Sequence, residues 1–444
     1  MSGGTSLLAR LGLHRPELRA WAMYDWANSV FFATIIQIFP IYFTTVAAGN
    51  LSKQAASTYF GLSTTVAMVI AAVISPVLGA VADYGGMKKK MLAGSVLFGA
   101  AATAALYLIG YGQWRLAALL FVMGNVGITA SFVFYESFLP HIAGEDEVDR
   151  VSAAGYALGY LGGGLLLALN LLWIQRPLWF GLRDSATATR VSFLSAAVWW
   201  VVFSIPLFRK VPEPPRVIEP GETARPGALR AAFGRVGETL HELRRYRDAF
   251  LLLLAFLLYN DGIQTIIRMG TAYGTEIGLA QGSLIAAVLM AQFVAVPFAF
   301  LFGGLAERFG AKRTLYIPIV VYIVLTVIAY GMRTMREFFL VVFLVASVQG
   351  GSQAISRSLF STMIPRHKSA EFFGFWGVFD KFAGVFGPAI FTVMVWTTGS
   401  SRSAILALIA FFVIGGVLLL GVDVERGRRV AREAEALMPA AGGA

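Results

Sequence analysis

In the stretch MYDWANSVFFATIIQIFPIYF, residues 23–43, a carboxylate and an amide stand inside an otherwise apolar run. Asp25, Asn28 and Ser29 are three and four residues apart, so on a helix they share a face. Ile35, Ile38 and aromatic residues occupy the other side. A charge left in hydrocarbon costs at least about 2.5 kcal/mol. The polar face must therefore turn toward a bundle interior, where it finds a partner, a proton or water. Desolvation favours the neutral form of a carboxylate and a nearby cation the charged form. A group balanced between the two can exchange a proton.

Other embedded polar residues repeat the pattern. Asn260 precedes the stripe Asp261, Gln264 and Arg268, and Gln349, Gln353 and Arg357 follow one another at intervals of four. Asp380 and Lys381 are adjacent, so their side chains diverge by about 100° and separate partners are expected. Glu136 lies four residues before Pro140 and reads as a solvated vestibule carboxylate, with a proton site as the alternative. Four carboxylates and three cations facing one cavity suit a zwitterion, or an anion with a proton. Asp25 and Asp261 are the expected coupling residues. The structural alternative is that Arg357, Lys381 or helix termini neutralise them. The aromatics Tyr24, Trp26, Phe132, Tyr135, Phe372, Phe373, Phe375 and Trp376 read as interhelical packing, with a cation cage as the alternative.

Little else offers chemistry. The chain has no cysteine and four histidines, and no HExxH spacing. No catalytic residue, metal or cofactor is expected, nor a cleavable leader in the short basic start.

The elements that position these residues are membrane helices. The sequence is 57% hydrophobic and only 14% charged, against roughly 25% in soluble domains. Its mean hydropathy is +0.70. Apolar windows of bilayer length predict twelve spans, over 20–46, 57–82, 90–111, 114–139, 149–173, 190–208, 248–275, 281–304, 313–331, 337–361, 370–398 and 403–422. With the N-terminus cytoplasmic, 25 of the 36 Lys and Arg residues fall in inside segments. The net charge of +11 is then a topology signal. It gives no reason to expect nucleic acid. Both termini are expected in the cytoplasm, and a bacterial inner membrane is the expected location.

Residues 209–247 are proline-rich, then basic and amphipathic. They read as a cytoplasmic linker lying on the membrane surface, or as a site for lipid or a regulator. The linker separates residues 1–208 from residues 248–444. The two halves echo each other. AMYDWANS answers LYNDGIQT, GAVADYGGMKKK answers GGLAERFGAKRT, and FLP answers MIP. GYALGYLGGG answers the glycine-rich GFWGVFDKFAGVFGP. Equivalent spans run in the same direction, so the fold class is an all-α membrane protein of two pseudo-symmetric six-helix bundles. The site should lie between them.

The architecture and loop motif resemble the major facilitator superfamily. Gly303, Glu307, Arg308, Gly310, Lys312 and Arg313 match its loop pattern, with Glu for Asp. Gly79, Asp83, Lys88 and Lys89 match in the first half, where Tyr84 replaces a basic residue. The glycine permits close helix approach, and the carboxylate can cap the next helix. The resemblance also implies a latch from that carboxylate to an arginine when the cytoplasmic side is closed. YDWANS, LYNDGIQTI and GGSQAISRSLFSTMIP…AEFFGFW resemble one branch, the unknown-major-facilitator family related to fungal autophagy-linked vacuolar effluxers. The resemblance covers most of residues 20–422. It implies a secondary transporter, and the fungal members export amino acids. This chain departs in FYESFLP, where Glu136 stands in place of an amide.

The function expected is therefore alternating-access transport of a small polar metabolite, amino acids first, coupled to protons. A membrane monomer in contact with lipid is expected. A drug or hydrophobic-cation exporter is the alternative, weakened by the absence of an arginine from LAALLFVMGNVGITASFVFYESF. A lipid translocase or a non-transporting sensor is a third reading. An enzyme is the least expected, since no nucleophile–base pair is evident.

Overall fold

A computed structural model of the chain describes residues 7–217, 245–276, 281–398 and 401–438. The amphipathic linker helix expected before residue 248 lies for the most part outside them. Among the described residues, twelve helices are long and apolar enough to cross a membrane. They are α1 (Pro16–Ala47), α2 (Lys53–Gly85), α3 (Lys88–Leu108), α4 (Trp114–Ile142), α5 (Val148–Gln175) and α6 (Ser185–Lys210) in the first half. The second half has α7 (Arg247–Arg268), α8 (Ser283–Phe309), α9 (Ala311–Gly331), α10 (Met335–Thr362), α11 (Arg366–Thr398) and α12 (Ser403–Leu420). A polar helix, α13 (Val424–Ala436), follows.

Local chemistry explains the ends. Pro16 opens α1, where its missing N–H costs nothing. Ser52 caps α2 and Asp184 caps α6 through side-chain oxygens. Thr334 and Glu337 form a reciprocal capping box on α10. α2 stops at Gly86, with φ +57°, and its repeat partner Gly310 also has positive φ, +87°, before α9.

Two spans are irregular. α1 carries π-helical turns at Phe31–Ile36 and Phe43–Ala47, on either side of Pro40. Proline has no N–H for the ladder, and the wider turns accommodate the defect. α11 is broken into Ser369–Phe382 and Phe386–Thr398. Ala383 is extended there and Gly384 has φ +98°. A broken helix deep in a bilayer frees backbone polar groups that the protein itself must satisfy.

Each half has its own apolar core. One runs from Leu13 to Val211 and takes in Ala370 of α11; the other runs from Tyr246 to Ala434. The α2–α3, α4–α5, α8–α9 and α10–α11 turns gather at one end with α13, which we term the basic face.

Candidate functional site

On the basic face the halves meet in two places related by the repeat. At the first, α2 packs on the start of α11. Gly79 lies so close to Ala370 that a Cβ would collide with its carbonyl. Asp83 pairs with Lys88 at 2.8 Å and accepts from the backbone N–H of Glu371 at 2.8 Å. Lys88 donates to Ser369 at 2.6 Å, and Ser369 donates to the Ser137 carbonyl at 3.0 Å. The loop carboxylate thus caps the opposite half's helix, where the dipole is positive, and not the helix that follows it in sequence.

At the second place, α8 packs on the start of α5. A Cβ on Gly303 would stand 2.8 Å from that of Ala153, and Glu307 forms a two-pronged ion pair with Arg150. Arg308, expected among the gating residues, is exposed with its guanidinium 5.3 Å over the Phe309 ring. α13 spans the same face. Arg432 donates to both oxygens of Glu145 in the first half, at 3.0 and 2.5 Å. Arg426 donates to Asp248 in the second, at 2.6 and 2.7 Å.

Deeper in, Arg357 of α10 crosses into the first half. Its Nη2 is 3.2 Å from Asp25 Oδ2, and it donates to the hydroxyl and the carbonyl of Ser152, both at 2.9 Å. The Tyr135 hydroxyl donates to the same Asp25 oxygen at 2.8 Å. The guanidinium lies over the rings of Trp21 and Tyr156, 4.9 and 4.4 Å away, an arrangement that suits a cation removed from water. Gly155 leaves room for the Asp25 carboxylate, since a Cβ would strike it.

Above this floor is a chamber of about 260 Å³ lined by both halves. It shares Phe32, Thr129, Gln264, Gln292, Asp380 and Lys381 with a wider cavity of about 850 Å³. The wider cavity extends away from the basic face, between Gln37 and Pro40 of α1 and Met332 and Phe338 at the α9–α10 turn. The protein is therefore closed on the basic face and hollow toward the other.

Of the residues singled out from sequence, Asp25, Asn28, Glu136, Gln264, Gln353, Asp380 and Lys381 line the chamber. Arg268 lines the wider cavity and donates to the Gly384 carbonyl at 3.2 Å. Three of the candidate substrate and proton residues line neither. Asn260 is buried and donates to Asp380 at 3.2 Å. Arg357 is drawn into the floor. Asp261 accepts from the N–H groups of Gly384 and Gly387, at 2.6 and 3.0 Å. It caps the second piece of α11, because the break in that helix releases backbone donors that need an acceptor.

Two expectations are corrected. Lys381 does pair with Asp380, Nζ to Oδ2 3.6 Å: the Cβ directions diverge, but a four-carbon stem can fold back. Glu136 is no vestibule carboxylate. It is 5% exposed and lines the chamber, because α4 places it beside the interface with α11. Sequence reasoning missed Tyr156, Tyr160 and Gln292 as lining residues. Gln292 was legible as the one amide inside the apolar run VLMAQFVAV. The tyrosines were masked by the glycines around them. Phe132, Phe373 and Trp376 both pack between helices and line the chamber.

The chain matches known proteins over most of its length. The family described as "Vacuole effluxer Atg22 like" matches residues 49–432. The uncharacterized MFS-type transporter YxiO of Bacillus subtilis is 37% identical over 418 residues, covering 93% of this chain and 96% of that protein. Autophagy-related protein 22-1 of Penicillium rubens is 24% identical over 482 residues, 88% of this chain and 80% of that one. The solved structure of the proton:xylose symporter XylE, bound to 6-bromo-6-deoxy-D-glucose, has a TM-score of 0.67 at 14% identity. It covers 97% of this chain and 99% of that one.

Proposed function

The chain belongs to the Atg22-like family of major facilitator transporters, and from that premise we propose that it carries amino acids across the membrane by alternating access, coupled to protons. One observation carries this reading: a chamber at the interface of the halves, sealed toward the basic face and continuous with a wide cavity on the other. Substrate entering that cavity reaches Lys381, Asp380, Glu136 and the amides together. Lys381 and Arg268 suit a carboxylate and the acids suit an ammonium. The charged and amide side chains that line the chamber favour a small polar metabolite over a drug or a lipid.

In this reading the protein works as a monomer in a bacterial inner membrane. The basic face is cytoplasmic, as the positive-inside rule places it. Release to the cytoplasm requires the Asp83–Lys88–Ser369 and Arg150–Glu307 contacts to open while the outer cavity closes.

The test is counterflow with purified protein in liposomes preloaded with unlabelled amino acids, with and without an imposed pH gradient. Exchange of at least one amino acid, accelerated by the gradient, is the expected result. No exchange of any amino acid at any pH removes the substrate assignment.

A further inference from the structure

We infer that Glu136 is an exchange site at which a proton and the ammonium group of a cationic amino acid or amine compete. The inference rests on the carrier reading above and narrows its substrate class.

Charge accounting in the chamber leads there. Asp25 is held by Arg357 and Tyr135, Asp261 by backbone N–H groups, and Asp380 by Lys381 and Asn260. Glu136 is 5% exposed, and its carboxylate has neither a hydrogen bond nor an ion pair with any described residue. The charged and titratable groups around it are Asp25 of α1, Tyr135 of α4, Tyr156 of α5, Arg357 of α10, and Asp380 and Lys381 of α11. Arg357 pairs with Asp25 and Lys381 with Asp380, and Arg268 stands beside Asp261 and Asp380. Three cations thus offset three of the four carboxylates, so an ionised Glu136 leaves the site one negative charge in excess and a protonated Glu136 leaves it neutral. A carboxylate withdrawn from water does not stay charged and alone. It holds a proton or a cation.

A second observation points to a ligand. Asn28 is fully buried and lines the same chamber, and neither its amide nitrogen nor its carbonyl oxygen has a hydrogen-bond partner. Buried amides of that kind are rare without a guest or water. The walls beside these residues include Phe132, Phe256, Phe373 and Trp376, whose faces attract an ammonium group.

The exchange balances. The Glu136 carboxyl gives its proton to water in the outer cavity, and the carboxylate accepts the substrate N–H⁺. Opening on the basic face reverses both steps. One proton moves against each substrate molecule; with a singly charged substrate such as lysine the chamber's charge is the same in both loaded states, and with a dication such as putrescine it is one charge more positive.

The test compares labelled lysine, putrescine and leucine exchange in liposomes for the full-length wild type, Glu136→Gln and Glu136→Asp. For the wild type, the half-saturating lysine concentration should rise as pH falls, approaching tenfold per pH unit, the limit for competition with one proton. In Glu136→Gln the ratio of lysine to leucine exchange should fall at least tenfold and that pH slope should vanish. Glu136→Asp should keep both, which separates lost charge from lost folding. An unchanged ratio and slope in Glu136→Gln overturns the inference. So does a wild type that exchanges leucine but neither lysine nor putrescine, and the carrier reading then survives. Exchange of none of the three overturns the inference, and the full amino-acid panel then decides the carrier reading.

Discussion

Arg357 and Asp25, 332 positions apart in the chain, meet across the interface of the two halves at 3.2 Å, and both are buried. The pair makes the closed floor of the chamber a charged contact. Removing one member of a buried pair leaves the other uncompensated, at a cost of about 3–5 kcal/mol. Asp25→Asn and Arg357→Gln should each lower the thermal stability of the detergent-solubilised protein, and the double variant should recover much of the loss. A coupling energy within about 0.5 kcal/mol of zero in that cycle would mean the two residues act independently.

Asp261 is expected to behave differently. Its carboxylate caps the second piece of α11, so Asp261→Ala should cost about 1–2 kcal/mol, as lost caps do. Asp261→Asn keeps an acceptor oxygen and should cost less. Neither should alter the pH dependence of exchange, because the residue lines neither cavity. A lost pH response in Asp261→Asn, with folding intact, would return this residue to the coupling role its sequence suggests.

Close packing at Gly79 is what allows the basic face to shut. Gly79→Val should favour the state open to that face. The chain has no cysteine, so Ser29→Cys in the chamber supplies a single label. An impermeant maleimide should reach it from the basic face more readily in the valine background. A tenfold change in the ratio of labelling between faces corresponds to about 1.4 kcal/mol. Equal ratios in both backgrounds would show that this contact does not set the equilibrium.

The tail helix straps the same face. Arg432→Glu should break its contact with Glu145 and loosen the closed state, and adding Glu145→Arg should restore it. Both residues are accessible to solvent, with side chains 61% and 38% exposed, so salt near 1 M, where the Debye length is about 3 Å, should weaken the wild-type contact as well. Labelling of Ser29→Cys from the basic face reads both effects. If the charge-reversed pair labels like the single variant, the contact is incidental.

The sequence by itself determined the twelve spans, the doubled six-helix plan and the concentration of basic residues at one end. Hydropathy, a 3.6-residue period and loop charge are local properties, readable from neighbours along the chain. It also brought forward nine of the thirteen polar residues that line the chamber, because a polar side chain in an apolar run must turn inward. The division of labour among them depended on the tertiary structure. Asp25 and Asp261 occupy matching places in the repeat, yet one meets a guanidinium from the other half and the other meets the backbone of a broken helix. Glu136 looked like a vestibule acid because sequence gives its depth along α4 and not what faces it. The partners come from residues hundreds of positions away, and a buried charge takes its role from its partner.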